Sequence, residues 1–231
     1  MNHSDFYDVF FKKIRHKINF TTRILIHEIL NCVKKTDSRG NPDFRILELG
    51  CGRGLLAAKL LRFGKVKAVD LAEKTIEDNR KFYPEIEFEV ADLSKPIRFD
   101  TQFDMVVSME VIEHLPYNLQ EQLIKNAYDS LKTGGHLILT TPNKTAQQEH
   151  KIKLFQPIED HLTVQEIEKL VAKYFVIINI FTVIYRFKSR FIDILWKRLF
   201  YFINIYWFQN FIKKKNCGLH TVVFAKKAEI S

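Results

Sequence analysis

Three groups of residues in this 231-residue chain have the types and spacing to do chemistry. The first is a glycine turn. "RILELGCGRGLLAAKLL", Arg45 to Leu61, is an apolar strand-like run that breaks into Gly50, Gly52 and Gly54 and then becomes helix-like. Backbone N–H groups in a turn between a parallel strand and a helix lack partners, and glycines let a ligand come close to them. The spacing is GxGxG with Glu48 two residues ahead, not the GxGxxG of a dinucleotide site, so a helix end built for a pyrophosphate is not indicated. The second group is a set of acids at successive strand ends: Asp70 closes "VKAVD", Asp92 closes "IEFEVAD" and Glu110 closes "FDMVVSME". Asp70 lies twenty positions after Gly50, where a carboxylate can accept both hydroxyls of a ribose, and Asp92 is placed to accept from an exocyclic amine of a base. One acid at a strand end is often a helix cap, whereas three at successive ends read as a site.

The third group is "MEVIEHLP", which supplies Glu110, Glu113 and His114 at i, i+3 and i+4, together with His161 in "IEDHLTVQEI". The first three share a face if a helical turn follows the strand. Two carboxylates and two neutral imidazoles could hold Mg²⁺, Mn²⁺, Zn²⁺ or Fe²⁺, and such a cation would lower a hydroxyl's pKa. The competing reading has Glu110 capping the next helix while His114 packs or acts as a plain base. His27, His136 and His220 fall on or beside predicted helix and strand positions and are read as structural, while His150 is a weaker candidate in the polar "NKTAQQEHK" loop. Cys51, inside the glycine turn, is read as a small space-filler.

Alternating apolar strands and amphipathic stretches must position these groups, which is the pattern of an α/β domain with a parallel sheet. Candidate strands are "RILELG", "VKAVDL", "IEFEVADL", "FDMVVSME", "GHLILTTP", "FVIINIFTVI" and "LHTVVFAKK". Helices are predicted after Gly54, after Glu73, over 118–131 and over 163–173, the last opened by Thr163 as N-cap with Glu166 three residues on. "TDSRGNPD", 36–43, reads as a linker, so the residues before it form one or two helices beside the domain.

Glu48, the three glycines, Asp70, Asp92, "FDMVVSMEVIEHL" and "LKTGGHLILTTPN" together resemble the successive motifs of class I S-adenosylmethionine-dependent methyltransferases. The resemblance spans about 45–175 plus the last strand. It implies a Rossmann-like fold whose seven-stranded, mostly parallel sheet carries helices on both faces and a last strand running antiparallel between two others. Around S-adenosylmethionine it implies Glu48, Gly50, Cys51, Gly52 and Gly54 near the methionine and ribose, Asp70 with Leu71 on the ribose hydroxyls, Asp92 with Leu93 facing the adenine, and Met109 and Glu110 lining the same site. Glu113, His114 and His161 are the catalytic candidates, and the same three with Glu110 are the metal candidates. An ExxEH stretch with a later histidine is similar to that of two metal-dependent groups, the ubiquinone-biosynthesis O-methyltransferases and the small-RNA 3′-terminal 2′-O-methyltransferases.

A composition of 46% hydrophobic residues supports a real core and excludes disorder. Three cysteines, Cys32, Cys51 and Cys217, with no CxxC pair suggest neither a disulfide framework nor a cysteine zinc site, and point to a reducing, cytoplasmic setting. The N-terminus lacks the pattern of a secretory signal. Of the net charge of +9, +7 falls in 186–215, amid Trp196, Trp207 and many phenylalanines. Polar residues interrupt this run too often for a membrane span. It is instead expected to meet the inner face of an anionic membrane as an interfacial helix, or to cover the pocket or form a dimer face, with RNA stacking as a lesser use. The expected divisions are an N-terminal helical segment at 1–44, the core at 45–184, an aromatic and basic helical insertion at 185–216 and the final strand at 217–231. The expected activity is O-methylation of a small or lipid-linked hydroxyl acceptor. An RNA 2′-O-methyltransferase and a non-catalytic cofactor-binding protein are the alternatives.

Overall fold

The computed structural model describes residues 3–13, 19–36, 41, 43–150, 159–184 and 217–228. The aromatic and basic stretch at 185–216 lies outside them, as does most of the 36–43 linker. The strands are β1 (Arg45–Leu49), β2 (Lys65–Asp70), β3 (Glu87–Val90), β4 (Phe103–Met109), β5 (Leu131–Pro142), β6 (Val176–Val183) and β7 (His220–Lys226). The helices are α1 (His3–Lys13), α2 (Phe20–Val33), α3 (Leu55–Leu60), α4 (Glu73–Phe82), α5 (Tyr117–Ser130), α6 (Lys144–Glu149) and α7 (Val164–Ala172). One seven-stranded sheet runs β3-β2-β1-β4-β5-β7-β6; β7 is antiparallel to both neighbours and the other pairings are parallel. This is the Rossmann-like arrangement expected from the motifs.

Strand alternation sends neighbouring residues to opposite faces of the sheet, and both faces are covered. On β1 and β5, Ile46 and Ile138 join the core layer that includes Leu25, Ile29 and Leu56 of α2 and α3. Leu47, Leu49, Leu137 and Leu139 point the other way, into a layer with Leu123 and Ile124 of α5 and Ile167 of α7. Leu123 is fully buried. Truncating it to alanine would cost about 2 to 5 kcal/mol, the usual range for a core leucine.

Local signals explain the starts of α2 and α7. Asn19 caps α2 by accepting from Thr22 N–H at 2.8 Å. At α7 the expected cap is a full capping box: Thr163 Oγ1 accepts from Glu166 N–H at 3.2 Å, and Glu166 Oε2 accepts from Thr163 N–H at 2.8 Å. Two expectations need correction. "NKTAQQEHK" is not simply a polar loop, because 144–149 form α6, held where Gln147 Nε2 donates to Leu219 C=O and Ala146 enters the core. The segment after β4 is a single 3-10 turn at Ile112–His114, and Glu110 stands before it with a left-handed φ of 58°. Glu110, Glu113 and His114 therefore do not share one α-helical face. Among the described residues no helix is long and apolar enough to cross a membrane.

Candidate active site

The carboxyl ends of β1, β2 and β4 and the amino end of antiparallel β7 meet along one edge, and the site is built there. At the end of β1 the chain turns back: the N–H groups of Gly50 and Cys51 both donate to Val69 C=O on β2, at 2.8 and 2.9 Å. Gly50 has φ +78°, and a Cβ there would run into Val111. Gly52 has φ +47°, and its Cβ would stand 2.8 and 2.9 Å from carbons of the Phe11 ring. Both positions combine a left-handed backbone with no room for a side chain.

Asp70 locks this turn to the end of β2. Its Oδ2 accepts from Gly52 N–H at 2.7 Å and its Oδ1 from Ala72 N–H at 3.0 Å. Burial pushes its pKa up against those backbone donors and that of Leu71. Asn79 of α4 adds a bond from Nδ2 to Gly52 C=O at 2.7 Å. Glu48 is buried beneath the turn, and its Oε2 has no hydrogen-bond partner among the described residues. Burial, with Asp70 nearby, pushes its pKa well above the usual carboxylate range. A turn kept open by glycines, a carboxylate at its rim and an orphaned buried carboxyl oxygen fit a ligand with hydroxyl and amino donors, as S-adenosylmethionine has. Cys51 is buried and its thiol pKa is pushed well up by burial, then by Asp70 and Glu48, which suits the filler role.

Asp92 is placed at the same edge after β3, but its carboxylate closes its own turn. Oδ1 accepts from Ser94 N–H at 3.0 Å and from Ser94 Oγ at 2.6 Å, and Oδ2 faces Lys95 Nζ at 3.0 Å. Those partners outweigh partial burial and lower its pKa. Leu93 is buried beside it, and Met109 is half-buried at the end of β4.

Further along the edge, past β4, Glu110 Oε1 accepts from Thr140 Oγ1 at 2.9 Å, and its Oε2 lies 2.7 Å from His220 Nδ1, off the line of a straight hydrogen bond. Burial would raise the Glu110 pKa, but His220, Thr140 and His114 outweigh it and keep the carboxylate ionised. Glu113 is buried; its Oε2 accepts from Thr141 Oγ1 at 3.1 Å. Burial first, then Glu110, pushes its pKa well up. His114 Nε2 is 3.9 Å from Glu113 Oε1. His161 reaches the same edge because Asp160 N–H donates to Glu113 C=O at 2.8 Å. Its Nε2 is 3.4 Å from Glu159 Oε2, and burial lowers its pKa despite Glu159 and Glu110.

The structure thus brings Glu110, Glu113, His114 and His161 to one edge but pairs them off rather than making them converge. Among the described residues no three His, Cys, Asp or Glu side chains form a group that could hold a metal ion. The expected metal set does not fit as arranged: Glu110 is engaged by Thr140 and His220, and His161 faces Glu159. Two residues escaped the sequence reading. His220, read as structural, is the partner of Glu110; its only signal was that an antiparallel last strand must begin where the parallel strands end. Tyr7 of α1 lies with its ring centroid 6.0 Å from that of His114. Its pKa is pushed up to about 12 by burial and then by Asp70, Glu113 and Glu159.

Comparison with known proteins agrees with this geometry. Residues 46–135 match the family model described as "Methyltransferase domain". The chain is 39% identical over 110 residues to the mitochondrial ubiquinone biosynthesis O-methyltransferase of Rattus norvegicus, covering 44% of this chain and 31% of that protein. It is 33% identical over 136 residues to the ubiquinone biosynthesis O-methyltransferase of Rickettsia bellii, covering 57% and 54%. The matched part is thus about a third to a half of these relatives' own length. Among solved structures, the N-methyltransferase NodS from Bradyrhizobium japonicum WM9, in complex with S-adenosyl-L-homocysteine, superposes with a TM-score of 0.63 at 15% identity, covering 94% of this chain and 92% of that one. Glycine turn, strand-end acids and sheet order agree with the match of 46–135 to a methyltransferase domain, and the fold is the Rossmann-like one of the solved N-methyltransferase.

Proposed function

We propose that the protein transfers the methyl group of S-adenosylmethionine to a hydroxyl oxygen of a small or lipid-linked acceptor. The observation that carries this reading is one continuous sheet edge on which the glycine turn and Asp70 adjoin Glu113, His114 and His161. Similarity to ubiquinone biosynthesis O-methyltransferases supports an oxygen acceptor. The bound cofactor supplies an already activated methyl group, so the protein's share is alignment and proton removal. Gly52 and Asp70 hold the cofactor half, with Glu48 beneath them. On the other half, burial keeps the His161 imidazole neutral, so that it can take the acceptor's proton at Nδ1 while Glu159 at Nε2 stabilises the resulting imidazolium. Glu113 and His114 shape the wall against which the acceptor lies.

The basic, aromatic stretch at 186–215 supports a contact with anionic membrane, where each basic residue contributes about 1 kcal/mol and is screened by salt. The test is methyl transfer from labelled S-adenosylmethionine to lipid extract, to small phenols and to short RNA, with vesicle cosedimentation in parallel. Label in hydroxylated lipid or phenol, lost in His161→Gln, is expected. Label in RNA alone, with no binding to anionic vesicles, would overturn the small-acceptor reading in favour of an RNA 2′-O-methyltransferase. Cofactor binding without transfer to any class would favour a non-catalytic role.

A further inference from the structure

Helix α1 is attached at a specific place. The N-cap of α4 is Ala72, which has no side-chain oxygen to offer the free N–H groups of the helix's first turn. Asp8 of α1 supplies it from outside: Oδ1 accepts from Thr75 N–H and from Thr75 Oγ1, each at 3.0 Å. That anchor sits just past the turn in which Asp70 accepts from Gly52 and Ala72. From it, one helix face extends over the site. Tyr7 and Phe11, four residues apart, lie side by side with ring centroids 6.2 Å apart. Phe11 covers Gly52 on the cofactor half, and Tyr7 covers His114 on the acceptor half.

We infer that α1 is a clasp over the cofactor cleft: Phe11 and Tyr7 form an aromatic roof on a bound S-adenosyl compound, and the Asp8–Thr75 bonds hold that roof down. The inference rests on the cofactor reading above and extends it to residues that lie outside the methyltransferase motifs. An aromatic roof suits a ligand with an apolar edge, and its rings bury that edge while the backbone donors of the turn hold the polar one. The anchor lies beside the cleft rather than in it, so loosening it should act mainly on how fast the ligand leaves.

The test uses S-adenosylhomocysteine as probe, with calorimetry for affinity and stopped-flow displacement for release, on the full chain. Phe11→Ala should weaken binding about tenfold or more, and Asp8→Ala about 3- to 10-fold, both through faster release. Circular dichroism should stay near the parent's in both; Phe11→Ala, at a half-buried position on a peripheral helix, should also melt near the parent, while Asp8→Ala, which uncaps α4, should melt a few degrees lower. Thr75→Val, which removes only the hydroxyl, should follow Asp8→Ala in direction with a smaller change. Amide exchange in α1 should slow when the parent binds the probe. Parent-like affinity and release in both Phe11→Ala and Asp8→Ala would overturn the clasp. Tighter binding in Phe11→Ala would overturn it too, making Phe11 a plug rather than a roof. A parent that binds no probe would instead remove the cofactor reading itself.

Discussion

Asp70→Ala perturbs the turn and the cofactor site at once, and the two effects separate by assay. The carboxylate accepts from Gly52 and Ala72 at 2.7 and 3.0 Å, and Leu71 N–H also faces it. A hydrogen bond to a charged group contributes about 1.5 to 3 kcal/mol, and an orphaned buried N–H costs about 1 to 3 kcal/mol. Against that stands relief of a buried carboxyl whose pKa burial has already raised, so the net loss on urea unfolding should be about 2 to 4 kcal/mol. Asp70→Asn keeps one acceptor oxygen and should lose about half as much. In the cofactor-bound state the same side chain is proposed to accept from ribose hydroxyls. Removing it should then weaken S-adenosylhomocysteine by a further ~1 to 3 kcal/mol, about 5- to 150-fold by calorimetry. Unfolding free energy and probe affinity both unchanged in Asp70→Ala would refute the assignment of this residue to either task.

His220→Ala should leave Glu110 Oε2 without its nearest side-chain partner. Because both side chains retain some solvent access, the loss in urea stability should be about 1 to 3 kcal/mol rather than that of a wholly buried pair, and a parent-like melt would show the contact to be incidental. Glu113→Gln tests the raised pKa. A carboxyl whose folded pKa lies above its unfolded value of about 4.5 costs stability as pH rises from that value through the folded one. The variant, which cannot ionise, should therefore gain on the parent with increasing pH, and parallel stability–pH curves would contradict that burial. His161 has the opposite sign for a base: its folded pKa lies below 6.5, so parent transfer should fall with acid only below that value. The acid limb should be missing from whatever residual rate His161→Gln retains.

The alternation of apolar strands with amphipathic stretches was enough to predict the succession of strands and helices along the chain, because period and punctuation are local properties, while the antiparallel place of the last strand came from the resemblance of the motifs. The glycine turn and Asp70 were legible for a related reason: a parallel strand followed by glycines has few backbone solutions, and they all put its donors at the carboxyl edge. Thr163 with Glu166 was legible as a cap because the box closes within one turn. What lay beyond reach depended on partners distant in sequence. Glu110 leaves the helical face expected for it because a left-handed φ of 58°, a strain of about 1 to 3 kcal/mol, turns it toward Thr140 and His220. Asp8 carries no local signal, and only tertiary folding sets it against Thr75, 67 positions away. The chain's local pattern thus determined the succession of strands and the glycine turn at the end of the first of them. Only packing decided which acid meets which histidine and what covers the cleft, since those contacts depend on where separate elements dock rather than on the spacing within any one of them.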